Sequence, residues 1–198
     1  MRHTTDPADH YARAVKLWRQ TGEPDAQSAS YAEADRLLSS GREPEHGGSS
    51  KRAANWVAAL HRYEDYARTH GRNPRENTRD RATLPGDERR LGEWARYQRR
   101  FPDTLTSYQK IRLDVSPAFD WDPLERVWQA QLAACLRHLR DHGRLPYLNG
   151  SERAEFTLAR WLRRQLRQLQ TGTLRKDRAI LLTHLLDLGA EMGETPTL

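Results

Sequence analysis

Apolar residues recur along this chain at intervals of three and four, with polar residues between them, which is the periodicity of helices that bury one face. Over about 51–69, Trp56, Leu60, Tyr63 and Ala67 follow one another at spacings of four, three and four, and over about 123–142 Trp128, Leu132, Cys135 and Leu139 do the same. A second pair of stripes comprises Leu91, Trp94 and Gln98 on a segment from about Glu88 to Arg100, and Leu158, Trp161, Leu162, Gln165 and Leu169 on a segment from about Ser151. A third pair comprises Leu105, Tyr108, Ile111 and Val115 after Thr104, and Leu174, Ile180 and Leu182 after Thr173. Ahead of these, Tyr11, Val15 and Trp18 predict a helix to about Gln20 that opens with Asp6 as N-cap and Pro7 at the first helical position. Thr21 to Pro24 breaks it, and Tyr31, Ala34, Leu37 and Leu38 predict a second helix from about Ser30 to Ser39. No alternating apolar–polar run exceeds four residues, so no strand is predicted and the fold class is all-α.

The stripes come in copies. HGRxP occurs at His70 to Pro74 and His142 to Pro146, WxRxQxR at Trp94 to Arg100 and Trp161 to Arg167, and a Trp precedes each His by fourteen residues. The two His-Gly pairs are seventy-two residues apart and the second Trp pair sixty-seven, which predicts two copies of one three-helix unit. Each Gly of the motif, Gly71 and Gly143, ends a helix in a position suited to a left-handed C-cap. The expected organisation is a helical hairpin and linker over 1–50, a first repeat over 51–122, a second over 123–190, and a tail over 191–198. The linker reading rests on SSGREPEHGGSS at residues 39–50. Trp56, Trp94, Trp128 and Trp161 occupy matching apolar positions and are read as core anchors rather than as stacking platforms for bases; Trp18 and Trp121 are less constrained.

Charge changes the picture. The first 50 residues carry six basic and eight acidic side chains, 51–122 carry fifteen and eleven, and 123–190 carry twelve and six, so the net charge of +6 belongs to the repeats. Of the 33 basic residues only four are Lys, and guanidinium forks suit phosphate groups. Arg abundance also follows from a GC-rich genome, so position carries more weight than number. No run approaches the roughly eighteen apolar residues of a membrane span, and the start MRHTTDPADH lacks the apolar stretch of a signal peptide. A single cysteine, Cys135 on an apolar stripe, excludes an intramolecular disulfide and reads as a buried small hydrophobe. A cytoplasmic protein is expected, nucleoid-associated if it binds DNA.

The leading Trp, the apolar helix ending in HGxxP, the following Leu91-Gly92-Glu93-Trp94, the Gln-Arg helix and the closing Leu-rich helix, in that order and twice, resemble the helicase-associated domain. That family occurs as tandem repeats behind the motor of bacterial superfamily 2 helicases. The resemblance covers about residues 52–188 and implies a small helical module with a nucleic-acid-binding role. The chain departs from the pattern where Leu158-Ala159-Arg160-Trp161 lacks the glycine, where the second repeat has no counterpart of Trp121, and where the first-repeat loop is longer. It contains no GxxxxGK[ST] phosphate loop, and Asp87-Glu88-Arg89-Arg90 lacks the context of a DEAD-type box, so the motor is missing and no nucleotide cofactor is expected.

Binding is therefore the expected chemistry. At about 100° per residue, Arg96 and Arg100 fall about 200° and 240° from Trp94, away from the core, and Arg163 and Arg167 repeat this about Trp161. Arg160 and Arg164 widen the second stripe, and Arg89, Arg90 and Arg99 extend the first. The third helices add Lys110 and Arg112 in one copy and Arg175, Lys176 and Arg178 in the other. Such stripes can track phosphates and release counterions; the alternative is a solvated face laced with i,i+4 ion pairs. Gln109 is the one amide placed to read adenine, so backbone contacts dominate the expectation. His138 and His142 have the spacing of zinc ligands, but no HExxH and no Cys or acidic cluster accompanies them, so no metal is expected; His70 and His142 read as helix-end hydrogen-bonding groups. No catalytic constellation is found. The expected function is a non-catalytic accessory protein binding DNA or RNA. The alternative is a helical adaptor that docks a helicase or a replication or recombination partner, and a small nuclease is a third reading.

Overall fold

The computed structural model describes residues 7–22, 25–42, 51–76, 81–148 and 152–193. Among them there are eight α-helices and no strand: α1 (Pro7–Gln20), α2 (Ala26–Ser39), α3 (Lys51–His70), α4 (Gly86–Arg100), α5 (Ser107–Val115), α6 (Pro123–His142), α7 (Arg153–Gln170) and α8 (Lys176–Gly193). The Asp6 cap, Glu23–Pro24 of the first break, residues 43–50 of the expected linker, 149–151 of the loop before α7, and 194–198 of the expected tail lie outside the described residues. The chain divides into two compact units, residues 1–121 and 122–198.

In the first unit, α1 packs on α2 and α5, α2 on α3 and α5, and α3 on α4. The hairpin expected to stand apart from the first repeat is thus part of its core, and the boundary expected near residue 50 is not a division between units. The reason is chemical as well as apolar. Arg112 of α5, 0% exposed, donates through Nε to Asp35 of α2 at 2.8 Å and through both terminal nitrogens to Glu64 of α3 at 2.8 and 2.9 Å. Tyr108 donates its hydroxyl to Asp35 at 2.7 Å, His61 lies 2.6 Å from the other Asp35 oxygen, and His10 of α1 lies 3.7 Å from Glu64. Burial raises the pKa of Glu64, but the adjacent His10 ring, the Arg112 hydrogen bonds and the guanidinium charge outweigh it and hold the carboxyl at about 2. One ionic cluster therefore joins α1, α2, α3 and α5. Around it pack Tyr31, Trp56, Val57, Leu60, Tyr63 and Phe119.

Local signals explain the helix ends. Asp25 accepts from the Ser28 N–H and starts α2 at Ala26, four residues before the expected Ser30. Ser28 in turn accepts from the Tyr108 N–H at 3.2 Å, so the N-termini of α2 and α5 are capped together. Thr106 and Gln109 form a capping box at the start of α5. Gln109 is buried and spent in that cap, which removes it as a reader of adenine.

In the second unit, α6 packs on α7 and on α8. Its core comprises Trp128, Leu132, Cys135, Leu139, Leu158, Trp161, Leu162, Leu182 and Leu185. Cys135 is fully buried, and burial pushes its thiol up to about 12. Ile180, expected on the apolar face of the last helix, is instead exposed, since Leu182 and Leu185 set the inward face of α8. No helix among the described residues is long and apolar enough to cross a membrane.

Candidate functional site

The HGR turns position the helix that carries the arginines. Gly71 and Gly143 adopt φ of 64° and 66°, the left-handed conformation that a side chain disfavours. Nδ1 of His70 lies 3.0 Å from the Tyr66 carbonyl oxygen and that of His142 lies 3.1 Å from the His138 carbonyl oxygen. The rings stack on the preceding turn, Tyr66 on His70 at 4.0 Å and His138 on His142 at 4.2 Å. No group of three His, Cys, Asp or Glu side chains able to hold a metal gathers among the described residues.

The arginine after each glycine then reaches the first turn of the next helix. Arg72 donates to Glu88 at 2.6 Å, and the Arg75 N–H donates to the same carboxylate at 3.0 Å. In the second unit Arg144 donates to Glu155, and the Tyr147 N–H donates there at 3.3 Å. Bonds from Arg72 and Arg75 hold Glu88 well below the usual carboxylate range. The Arg144 bond outweighs burial and, with the Tyr147 N–H, holds Glu155 down at about 2. These four positioning residues, Arg72, Glu88, Arg144 and Glu155, were not among the expected site residues. A signal for them exists, because Glu88 and Glu155 each stand six residues before the paired Trp94 and Trp161.

The Trp and Gln positions fix the rotation of that helix. Trp56 Nε1 donates to Gln98 at 3.0 Å and Trp128 Nε1 to Gln165 at 2.9 Å, both buried. Trp56 and Trp94 lie 6.0 Å apart at 56°, and Trp128 and Trp161 lie 5.8 Å apart at 58°. With these residues inward, Arg96 and Arg100 of α4 and Arg160, Arg163, Arg164 and Arg167 of α7 are exposed, and none has a carboxylate within ion-pairing distance among the described residues.

The four α7 arginines come together on one cleft of about 630 Å³, walled by Gln131 of α6 and by Leu148. They form four like-charge pairs at i,i+3 or i,i+4, each opposing helix stability by about 0.2–0.5 kcal/mol. A stripe kept at a cost of about 1–2 kcal/mol is not explained by folding. On α4 the same face is mixed, with Glu93 between Arg89 and Arg96.

Several of the expected arginines are engaged within the protein, some buried and some in surface ion pairs. Arg112 is sealed in the ionic cluster, because the hairpin covers the face of α5 that a three-helix unit alone would leave in water. Arg99, with a side chain 11% exposed, bonds to Glu76 and to the Asp120 carbonyl oxygen and lies over the Phe119 ring at 5.3 Å. Arg178 bonds to Glu125 at 2.7 Å and covers the Trp128 ring at 5.1 Å. Arg175 pairs with Asp177 at 2.6 Å and with Glu125 at 3.3 Å, and Arg90 pairs with Asp87 one turn away. Arg89 and Lys176 remain exposed and Lys110 half-buried. Comparisons with protein-family models, curated proteins and solved structures found no match.

Proposed function

We propose that this chain is a non-catalytic nucleic-acid-binding accessory protein, with DNA as the leading target, that grips phosphates through Arg160, Arg163, Arg164 and Arg167 and secondarily through Arg96 and Arg100. The observation that carries the reading is the α7 cleft, in which four arginines converge with no carboxylate partner among the described residues. Four such charges repel one another in the free protein and are relieved by a polyanion, with counterion release adding to the affinity. In this reading α3–α4–α5 and α6–α7–α8 are two tandem copies of one helicase-associated-like unit, and α1–α2 is a hairpin added to the first. Support comes from the paired Trp–Gln hydrogen bonds, the paired HGR turns and the paired Arg–Glu ties.

The test is binding of a fluorescein-labelled oligonucleotide at low salt to the wild type, to the R160A/R163A/R164A/R167A variant, and to R96A/R100A. The α7 variant is expected to lose most of the affinity and the α4 variant less, with helix content unchanged by circular dichroism. Equal binding by all three proteins sinks the proposal. The exposed Leu124, Val127 and Ile180 of the second unit favour a second reading, a helical adaptor for a helicase or replication partner. Capture of such a partner that persists in high salt and after nuclease treatment supports it.

A further inference from the structure

Beside the arginine cleft lies a second one of different chemistry. It has a volume of about 430 Å³ and is lined by Pro146, Tyr147, Leu148, Leu162 and Leu166. The two clefts share Leu148 and Arg163, so a basic surface passes directly into an apolar one. Its volume falls within the range of small-ligand pockets, roughly 300–1,000 Å³. Tyr147 is 48% exposed, although its own backbone N–H is tied to Glu155 and the Arg144 guanidinium stacks on its ring at 4.2 Å. An exposed aromatic ring held on both its backbone and one face is a rigid platform. The four Trp rings at matching positions of the two repeats cannot play this part: Trp56, Trp128 and Trp161 are buried and Trp94 packs against the core.

We propose that the paired clefts of α7 take single-stranded nucleic acid, with consecutive phosphates along Arg160, Arg163, Arg164 and Arg167 and one unpaired base in the apolar cleft against Tyr147. The proposal rests on the phosphate-binding reading above and adds the class of nucleic acid. A base in a duplex is paired and stacked within the helix, and entering the cleft requires its extrusion. A base in a single strand is already free to turn, while its backbone stays on the arginines. Stacking on a tyrosine tolerates any base, so no strong sequence preference is expected. Arg163, common to both clefts, sits where the sugar joins phosphate to base.

The experiment measures fluorescence anisotropy of the full chain with an oligothymidylate and with a duplex of equal length, for the wild type, Tyr147→Ala and Tyr147→Phe. The wild type is expected to bind the single strand more tightly. Tyr147→Ala should lose about 5-fold or more on the single strand, the usual effect of removing one stacked base, with duplex affinity unchanged, and Tyr147→Phe should keep wild-type affinity. Insensitivity of strand binding to Tyr147→Ala, an equal loss on both ligands, or a preference for the duplex overturns the assignment to single strands and leaves the phosphate-binding reading standing. Failure of the wild type to bind either ligand overturns both.

Discussion

Arg112→Met is the sharpest probe of how the first unit is built. Methionine fills much of the same volume but removes three charge-assisted hydrogen bonds and leaves the buried Asp35 and Glu64 carboxylates without their shared cation. Breaking a buried ion pair from one side costs about 3–5 kcal/mol, mostly as the penalty of the stranded charge. At about 4 °C per kcal/mol for a unit of this size, the apparent Tm of the first unit should fall by roughly 12–20 °C. Urea and thermal unfolding followed by tryptophan fluorescence and by a label on the hairpin would read this directly. Adding Asp35→Asn and Glu64→Gln to Arg112→Met should recover a large part of the loss, because the stranded charges are then gone; the coupling is the signature of a cluster rather than of packing. A loss below about 1 kcal/mol, the range of a surface pair, or no recovery in the triple variant, would refute the keystone role of Arg112.

Further outcomes follow from single positions. A Cβ at Gly92 would lie 2.5 Å from the Arg75 carbonyl oxygen, so Gly92→Ala should destabilise the first unit by about 1–3 kcal/mol; an unchanged urea midpoint would show that the loop yields. Glu64 titrates at about 2 in the folded protein against an ordinary 4.5, so its contribution is complete above 4.5 and is lost as pH falls toward 2. Stability of the first unit measured from pH 6 to pH 2 should decline through that window, and a flat profile would contradict it. Cys135, buried and with its thiol pushed up to about 12, should resist a thiol reagent under native conditions and react once urea unfolds the chain; rapid native labelling would contradict its placement.

What could be read from residues alone is what depends on neighbours in the chain. The 3.6-residue stripes located the helices, and His-Gly located the stops of α3 and α6, because periodicity and a left-handed C-cap are local properties. The wheel about Trp94 and Trp161 correctly turned Arg96, Arg100, Arg163 and Arg167 outward. What could not be read depends on distant partners. Arg112 looked like the half-buried Lys110 two residues before it, since its burial is set by Asp35 and Glu64, 77 and 48 residues away. The same long-range cluster made the hairpin part of the first unit, although a Gly- and Ser-rich segment follows α2. Gly92 and Ala159 hold equivalent places before Trp94 and Trp161, and only the approach of the Arg75 carbonyl explains why the first must be glycine. The apolar cleft beside Tyr147 arises where a loop folds back on α7, a juxtaposition that no periodicity announces.

The most direct test of the central claim is the salt dependence of single-strand binding, compared between the wild type and the α7 quadruple alanine variant. Each phosphate neutralised contributes about −0.7 to the slope of log K against log salt for a single strand, so loss of four contacts should make the slope shallower by about 3. A shallower slope together with weaker binding is the predicted result. An unchanged slope, with or without a change in affinity, would contradict the claim that these four arginines hold phosphates.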